Sequence, residues 1–198
     1  MFRPHPIGFL QFGLFWVVAA IGAVALIRAF AGSREKGATA RKSRAATLGI
    51  TIQGIAFGIV GFGPMHMALP WSSAPSLIAS TLVLLFGGGA IAVFISSVRA
   101  MGKNWAVVAR TRSDHQLVRS GPFAIVRHPI YLALLLYMIA FAIGFGHLGQ
   151  LLFAVPLYCV GAAIRVREEE KLLRAQFGDD HARYVREVPA FIPFLRLG

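Results

Sequence analysis

Five long apolar runs without a single Asp, Glu, Lys or Arg are the feature that most restricts how this chain can fold. A helix that crosses a bilayer needs about 20 predominantly apolar residues, with about 17 as the lower limit. Each run meets that length, so the sequence predicts an all-α polytopic membrane protein with about five transmembrane helices. The runs are residues 7–27, 45–63, 76–98, 129–145 and 148–164.

The composition supports the same class. Hydrophobic residues make up 57% of the chain and charged residues 14%, against about 25% charged in soluble domains. The only cysteine, Cys159, lies in an apolar run, which excludes a disulfide framework and a thiolate zinc site. The first run is longer than the apolar core of a signal peptide and lacks a clear cleavage site, so we expect it to be retained.

The distribution of charge predicts the orientation. Lys and Arg cluster after the first, third and fifth runs, whereas the opposite side carries only Arg3. By the positive-inside rule the amino terminus is outside, and the carboxyl terminus and any active site are cytosolic. The basic residues behind the net charge of +12 lie between the apolar runs instead of forming one face. We therefore expect a lipid bilayer and no nucleic acid as partner.

We interpret the chain as one membrane domain in four parts. Residues 1–98 hold three spans, 99–128 form a cytosolic connector, 129–164 form a helical hairpin, and 165–198 form cytosolic C-terminal helices. None of the five runs has an internal Asp, Glu, Lys or Arg at mid-depth, whereas a channel or proton-coupled transporter would be expected to keep such groups within its spans. Chemistry is therefore expected at the cytosolic boundary.

The first chemical motif is at the entrance of the fourth run, where the sequence reads Arg127-His128-Pro129-Ile130-Tyr131. Proline suits the first turn of a helix, where its missing N–H would be unpaired anyway. The free N–H groups and the positive end of the helix dipole favour an anionic carboxylate there. Lipid anchoring would explain each residue singly, but not the combination.

The second motif follows the fifth run and contains Glu168, Glu169 and Glu170. The helical pattern continues past them to Gly178, a typical residue after a helix end. A solvated helix end is the ordinary interpretation of such a run. Here the hairpin brings these carboxylates beside the first motif, so the two clusters together suit a zwitterionic, cationic ligand.

The two motifs resemble the signature of the isoprenylcysteine carboxyl methyltransferase family: Arg-His-Pro-x-Tyr, a hydrophobic stretch, then Glu-Glu. The resemblance covers roughly residues 99–195. It includes His115, Leu117, Val118 and Gly121-Pro122 upstream, and Leu173, Phe177-Gly178, Tyr184 and Pro189 downstream. Glu168 adds a third carboxylate, which leaves the assignment of either family glutamate open by one position.

The resemblance implies a methyltransferase that uses S-adenosylmethionine and no metal, and that methylates the carboxylate of a lipophilic, isoprenylcysteine-like substrate. It implies that Arg165 lies near the acceptor and that Arg165 and Glu170 are catalytic. The backbone around Leu117 and Val118 would bind the adenine. The cofactor-binding residues implied are His115, Leu117, Val118, Arg127, His128, Tyr131, Glu169 and Glu170.

Three other functions stay open at this point. They are a phospholipid amine N-methyltransferase, a sterol-reductase-like enzyme that uses NADPH, and a membrane scaffold without activity. No Gly-x-Gly-x-x-Gly motif follows a strand, so the sequence does not indicate a Rossmann methyltransferase.

Overall fold

The computed structural model describes residues 4–32, 43–102 and 117–191, and within them the predicted all-α membrane fold is confirmed. Four of its helices are long and apolar enough to cross a membrane, and the remaining one is a shorter apolar helix. The chain is an integral membrane protein. The helices are α1 (Phe9–Gly32), α2 (Arg44–Gly61), α3 (Ala74–Met101), α4 (Pro129–Phe145) and α5 (Leu151–Glu187).

Two short segments depart from the predicted runs. Helix α1 begins at Phe9 because Pro6–Gly8 forms a strand, β1, which pairs in parallel with β2 (His66–Leu69). Residues 148–150, predicted as the start of the fifth span, form a 3-10 turn. Helix α4 has the predicted bounds.

Helix α5 is much longer than a bilayer requires. Its 37 residues correspond to about 55 Å at about 1.5 Å per residue, whereas a hydrocarbon core is about 30 Å thick. The apolar part up to residue 164 is therefore long enough to span, and the charged remainder projects from the membrane. The helix breaks at Gly178, which has φ 50°, a conformation that glycine adopts without the strain of a Cβ atom.

The helices pack in pairs, with α5 mainly against α2 and α4 mainly against α3. Helices α2 and α5 cross at Gly49 and Gly161, where a Cβ atom on Gly161 would lie 2.8 Å from the Gly49 carbonyl oxygen. Small residues at a crossing let helix backbones approach closely, which drives association within a membrane. The buried core beside this crossing includes Ala56, Val60, Ala154, Tyr158 and Ala162.

This packing gathers the start of α2, the start of α4 and the charged part of α5 at one end of the bundle, which we call the charged end. The Ser43 hydroxyl, at the N-cap of α2, donates to Glu168 at 2.6 Å. At the other end, the His5 N–H donates to the Gly146 carbonyl at 2.8 Å. The turn between α4 and α5 is thereby fixed on the side away from the two predicted motifs.

Candidate functional site

At the charged end, the His128 imidazole lies between two carboxylates. Its Nδ1 is 3.2 Å from Glu169 Oε2 and its Nε2 is 3.2 Å from Glu170 Oε1. The side chain is 6% exposed. Burial acts to lower the pKa of His128, but the hydrogen bonds and negative charges of Glu169 and Glu170 outweigh it and raise that pKa above its ordinary value. Both ring nitrogens can therefore act as donors.

Arg127 connects the entrance of α4 to the charged part and the end of α5. Its Nε and Nη2 donate to Glu170 Oε1 at 2.8 and 2.6 Å, and its Nη1 donates to the carbonyls of Val185 and Val188. Burial acts to raise the pKa of the Glu170 carboxyl, but the hydrogen bonds and charges of His128 and Arg127 lower it to about 2. Glu170 is thus a fixed anion at neutral pH.

Backbone bonds extend the same connection. The N–H of Arg127 donates to the Pro189 carbonyl at 2.9 Å, and that of His128 donates to the Ala190 carbonyl at 2.8 Å. His128 is the N-cap residue of α4 and Pro129 occupies the first turn, as predicted, but the imidazole makes no capping hydrogen bond. It is free to face the carboxylates of α5.

Tyr131 and Arg165 form the membrane-facing side of the cluster. The Tyr131 hydroxyl donates to Glu169 Oε1, and Arg165 Nη2 lies 3.7 Å from the same oxygen. The Arg165 guanidinium also lies over the Tyr131 ring, 5.1 Å from its centroid, a favourable cation–π contact. The Tyr158 hydroxyl donates to the Tyr131 carbonyl at 2.7 Å and holds the two helices in register.

The structure separates the three consecutive glutamates. Glu168 accepts from the Ser43 hydroxyl at 2.6 Å and from Lys171 Nζ at 2.7 Å, so it faces the start of α2. Glu169 and Glu170 face His128. Of the three, Glu169 and Glu170 therefore contact His128, and Glu168 contacts Ser43 and Lys171.

The connector residues of the predicted site are only partly placed. His115 lies outside the described residues. Leu117 and Val118 are half-buried, and no hydrogen bond or ion pair in the described part of the chain joins them to the cluster. Two contacts of Tyr184 join the connector to the end of α5. The Arg119 guanidinium lies 5.5 Å from the Tyr184 ring centroid, and the Tyr184 hydroxyl donates to the Phe123 carbonyl at 2.6 Å.

Two buried polar residues near the cluster were not predicted as site residues. Gln53 on α2 accepts from Arg165 Nη1 at 3.4 Å. His181 is buried, burial lowers its pKa, and its Nε2 has no hydrogen-bond partner among the described residues. Gln53 is visible in the sequence as the only amide in its apolar run, but a single sequence does not show which neighbour it faces. For His181 the sequence carries no comparable signal.

The cluster therefore combines two anions with buried donors and cations at the mouth of a helical bundle. Glu169 and Glu170 keep 27% and 24% of their side chains exposed, so a ligand can reach them. Carboxylates bind ammonium groups, and the imidazole, phenol and guanidinium groups bind carboxylates. Among the described residues, no group of three or more His, Cys, Asp or Glu is arranged to hold a metal ion.

The sequence of this chain is similar to those of known proteins. Residues 80–175 match the sequence model of the isoprenylcysteine carboxyl methyltransferase (ICMT) family. The chain is 32% identical over 90 residues to the protein-S-isoprenylcysteine O-methyltransferase of Schizosaccharomyces pombe, covering 45% of this chain and 38% of that protein. It is 31% identical over 106 residues to the cobalt-zinc-cadmium resistance protein CzcN of Cupriavidus metallidurans, covering 51% and 47%.

A solved structure has the same fold. The eukaryotic intramembrane Ras methyltransferase ICMT superposes with a TM-score of 0.54 at 19% identity, covering 94% of this chain and 68% of that one. The matched parts span less than half the length of these curated relatives. The match to the family model includes both motifs of the charged end, and it omits α1, α2 and the first turns of α3.

Proposed function

We propose that this chain is a membrane methyltransferase of the isoprenylcysteine carboxyl methyltransferase family, whose sequence model matches residues 80–175, and that it uses S-adenosylmethionine. The observation that carries the proposal is the His128 imidazole held between Glu169 and Glu170 beside Arg165. This cluster joins the two parts of the family signature, in which Tyr131 and Glu169 are 38 residues apart.

The residues present fit the cofactor. S-adenosylmethionine carries a carboxylate, an ammonium group and a sulfonium whose methyl group is electrophilic. Glu169 and Glu170 supply negative charge for the ammonium and sulfonium, while His128 and Tyr131 supply donors for the carboxylate. Arg127 binds Glu170 and two backbone carbonyls, so in our proposal it positions Glu170 instead of contacting the cofactor.

The charge state of Glu170 favours a carboxylate acceptor over an amine. An amine must lose a proton before it attacks, and an effective general base has a pKa near the working pH. The pKa of Glu170 is about 2, so it is a weak base at neutral pH and its role is electrostatic. A carboxylate acceptor is already ionised and needs positioning, which Arg165 can supply through its guanidinium.

The proposed acceptor is the carboxylate of a lipophilic, isoprenylcysteine-like molecule that reaches Arg165 from the bilayer. The cofactor would enter from the cytosol, because the asymmetry of Lys and Arg predicts that the charged end is cytosolic. The curated methyltransferase relative carries protein-S-isoprenylcysteine in its name, which supports this class of acceptor.

Ligand-induced stabilisation tests the cofactor. S-adenosylhomocysteine should raise the Tm of the detergent-solubilised protein in a concentration-dependent manner, because a ligand that binds only the folded state stabilises it by mass action. NADPH at the same concentrations should leave the Tm unchanged. A shift with NADPH and none with S-adenosylhomocysteine would overturn the proposal in favour of a reductase.

A further inference from the structure

Gln53 is a buried polar side chain within a membrane-spanning helix, and it faces the charged end. It is 5% exposed and lies on α2, outside the residues that match the family model. Its Oε1 accepts from Arg165 Nη1 at 3.4 Å. It therefore touches the residue that our proposed function places beside the methyl acceptor.

The orientation of the Gln53 amide follows from its neighbour. A guanidinium group has donors and no acceptor, so the amide oxygen must be the atom that faces Arg165. The amide nitrogen, Nε2, is buried and has no hydrogen-bond partner among the described residues. The Tyr158 hydroxyl donates its hydrogen to the Tyr131 carbonyl. Its oxygen lies near Gln53 and could accept, but it is not in hydrogen-bond geometry with Nε2.

The bundle makes room for this side chain. A Cβ atom on Gly161 of α5 would lie 2.9 Å from Gln53 Cγ, so a larger residue at 161 would displace it. A buried donor without an acceptor costs about 1–3 kcal/mol. A polar amide kept at that cost beside an arginine indicates a ligand that supplies the acceptor atom.

We propose that Gln53 binds the methyl acceptor, with Nε2 donating to an oxygen of the acceptor's carboxylate while Arg165 binds the same carboxylate. The inference rests on the proposed methyltransferase function. It gives α2, and with it the half of the chain outside the family match, a direct part in selecting an anionic acceptor. Gln53 is a binding and specificity residue in this scheme and takes no part in proton transfer.

Two variants separate the donor from the rest of the side chain. Gln53→Glu keeps an oxygen for Arg165 but replaces the donor with a negative charge that repels a carboxylate. Gln53→Met keeps the length and removes both polar atoms. Thr51→Val is the matched control, because Thr51 is exposed on the same helix and its hydroxyl donates to the Thr47 carbonyl.

The experiment measures cofactor and acceptor separately in purified protein. S-adenosylhomocysteine affinity should be unchanged in all three variants. With N-acetyl-S-farnesylcysteine as probe, Gln53→Met should raise the acceptor KM about 10-fold to 100-fold, the effect of losing a hydrogen bond to a charged group, with a smaller change in kcat. Gln53→Glu should raise KM further. Thr51→Val should match the wild type.

The Tm shift caused by N-acetyl-S-farnesylcysteine in the presence of S-adenosylhomocysteine gives a second readout that does not need turnover. At the same ligand concentration it should be smaller in both Gln53 variants than in the wild type. An unchanged KM and Tm shift in these variants, with an active wild type, would overturn the role of Gln53 and leave the methyltransferase intact. An equal loss of S-adenosylhomocysteine affinity would overturn it by placing Gln53 in the cofactor site. A wild type that binds no S-adenosylhomocysteine would instead refute the proposed function.

Discussion

Removal of the Arg127 guanidinium should destabilise the charged end by an amount that the structure allows us to work out. The side chain donates two hydrogen bonds to Glu170 and two to backbone carbonyls, and it is 8% exposed. A hydrogen bond to a charged group contributes about 1.5–3 kcal/mol. Glu170 keeps its contact with His128 and is 24% exposed, so water and His128 compensate part of the loss. We expect Arg127→Ala to cost about 2–3 kcal/mol in total.

In a chain of this size each kcal/mol corresponds to about 2–4 °C in Tm, so the expected fall is about 4–12 °C. Thermal unfolding of the detergent-solubilised variant measures it. Arg127→Lys should recover only part, because a single ammonium cannot bind Glu170 and the two carbonyls together. Arg183→Ala is the control, since the Arg183–Asp180 pair is exposed and its loss should leave Tm unchanged. An Arg127→Ala protein with wild-type Tm would refute the connecting role.

Three further outcomes follow from the same geometry. Because the pKa of His128 is raised in the folded protein, its charge adds stability that is complete below the ordinary histidine pKa of about 6.5 and is lost as the pH rises through the raised pKa. The difference in Tm between wild type and His128→Gln should therefore shrink from pH 6 to pH 9. A constant difference would contradict a charged imidazole. Isothermal titration should show at least 10-fold weaker S-adenosylhomocysteine binding in Glu169→Gln and Glu170→Gln, whereas Glu168→Gln should bind normally. Weaker binding in Glu168→Gln alone would contradict the roles of Glu169 and Glu170 in cofactor binding. Compartment-specific reporter fusions should place the amino-terminal side outside and the charged end in the cytosol, and a cytosolic signal from the α4–α5 turn would refute that topology. The fusion points are after Leu69 and Phe145 for the outside and after Lys42, Val118 and Gly198 for the cytosol.

The transmembrane helices were predictable because a membrane span requires a long uncharged run, and such runs are visible in a single sequence. The bounds of α4 follow from Pro129 at its start and Gly146 after its end. The β1–β2 pair was missed because strands of three and four residues are stabilised by the tertiary packing that brings them together. The packing of α5 against α2 was also missed, since it depends on two glycines, Gly49 and Gly161, that lie far apart in the chain.

The charged cluster was predictable in its members but not in its connections. The predicted hairpin places His128 and Tyr131 beside Glu169 and Glu170, and the structure brings them into contact. The separation of Glu168 from its neighbours depends on Ser43, at the start of a helix 125 residues away in the chain. A local pattern does not contain that contact, and for the same reason it does not show that Gln53 faces Arg165.

Transfer of a labelled methyl group tests the central claim most directly. Membranes containing the protein, incubated with S-[methyl-³H]adenosylmethionine and N-acetyl-S-farnesylcysteine, should yield a lipophilic product whose label alkali releases as volatile methanol, because the new bond is a carboxyl methyl ester. Arg165→Ala membranes should form little of this product, while the purified variant should bind S-adenosylhomocysteine normally. Label that is stable to alkali and extracted with phospholipid would contradict a carboxylate acceptor, and absence of any transferred label from protein that binds S-adenosylhomocysteine would contradict the isoprenylcysteine-like substrate.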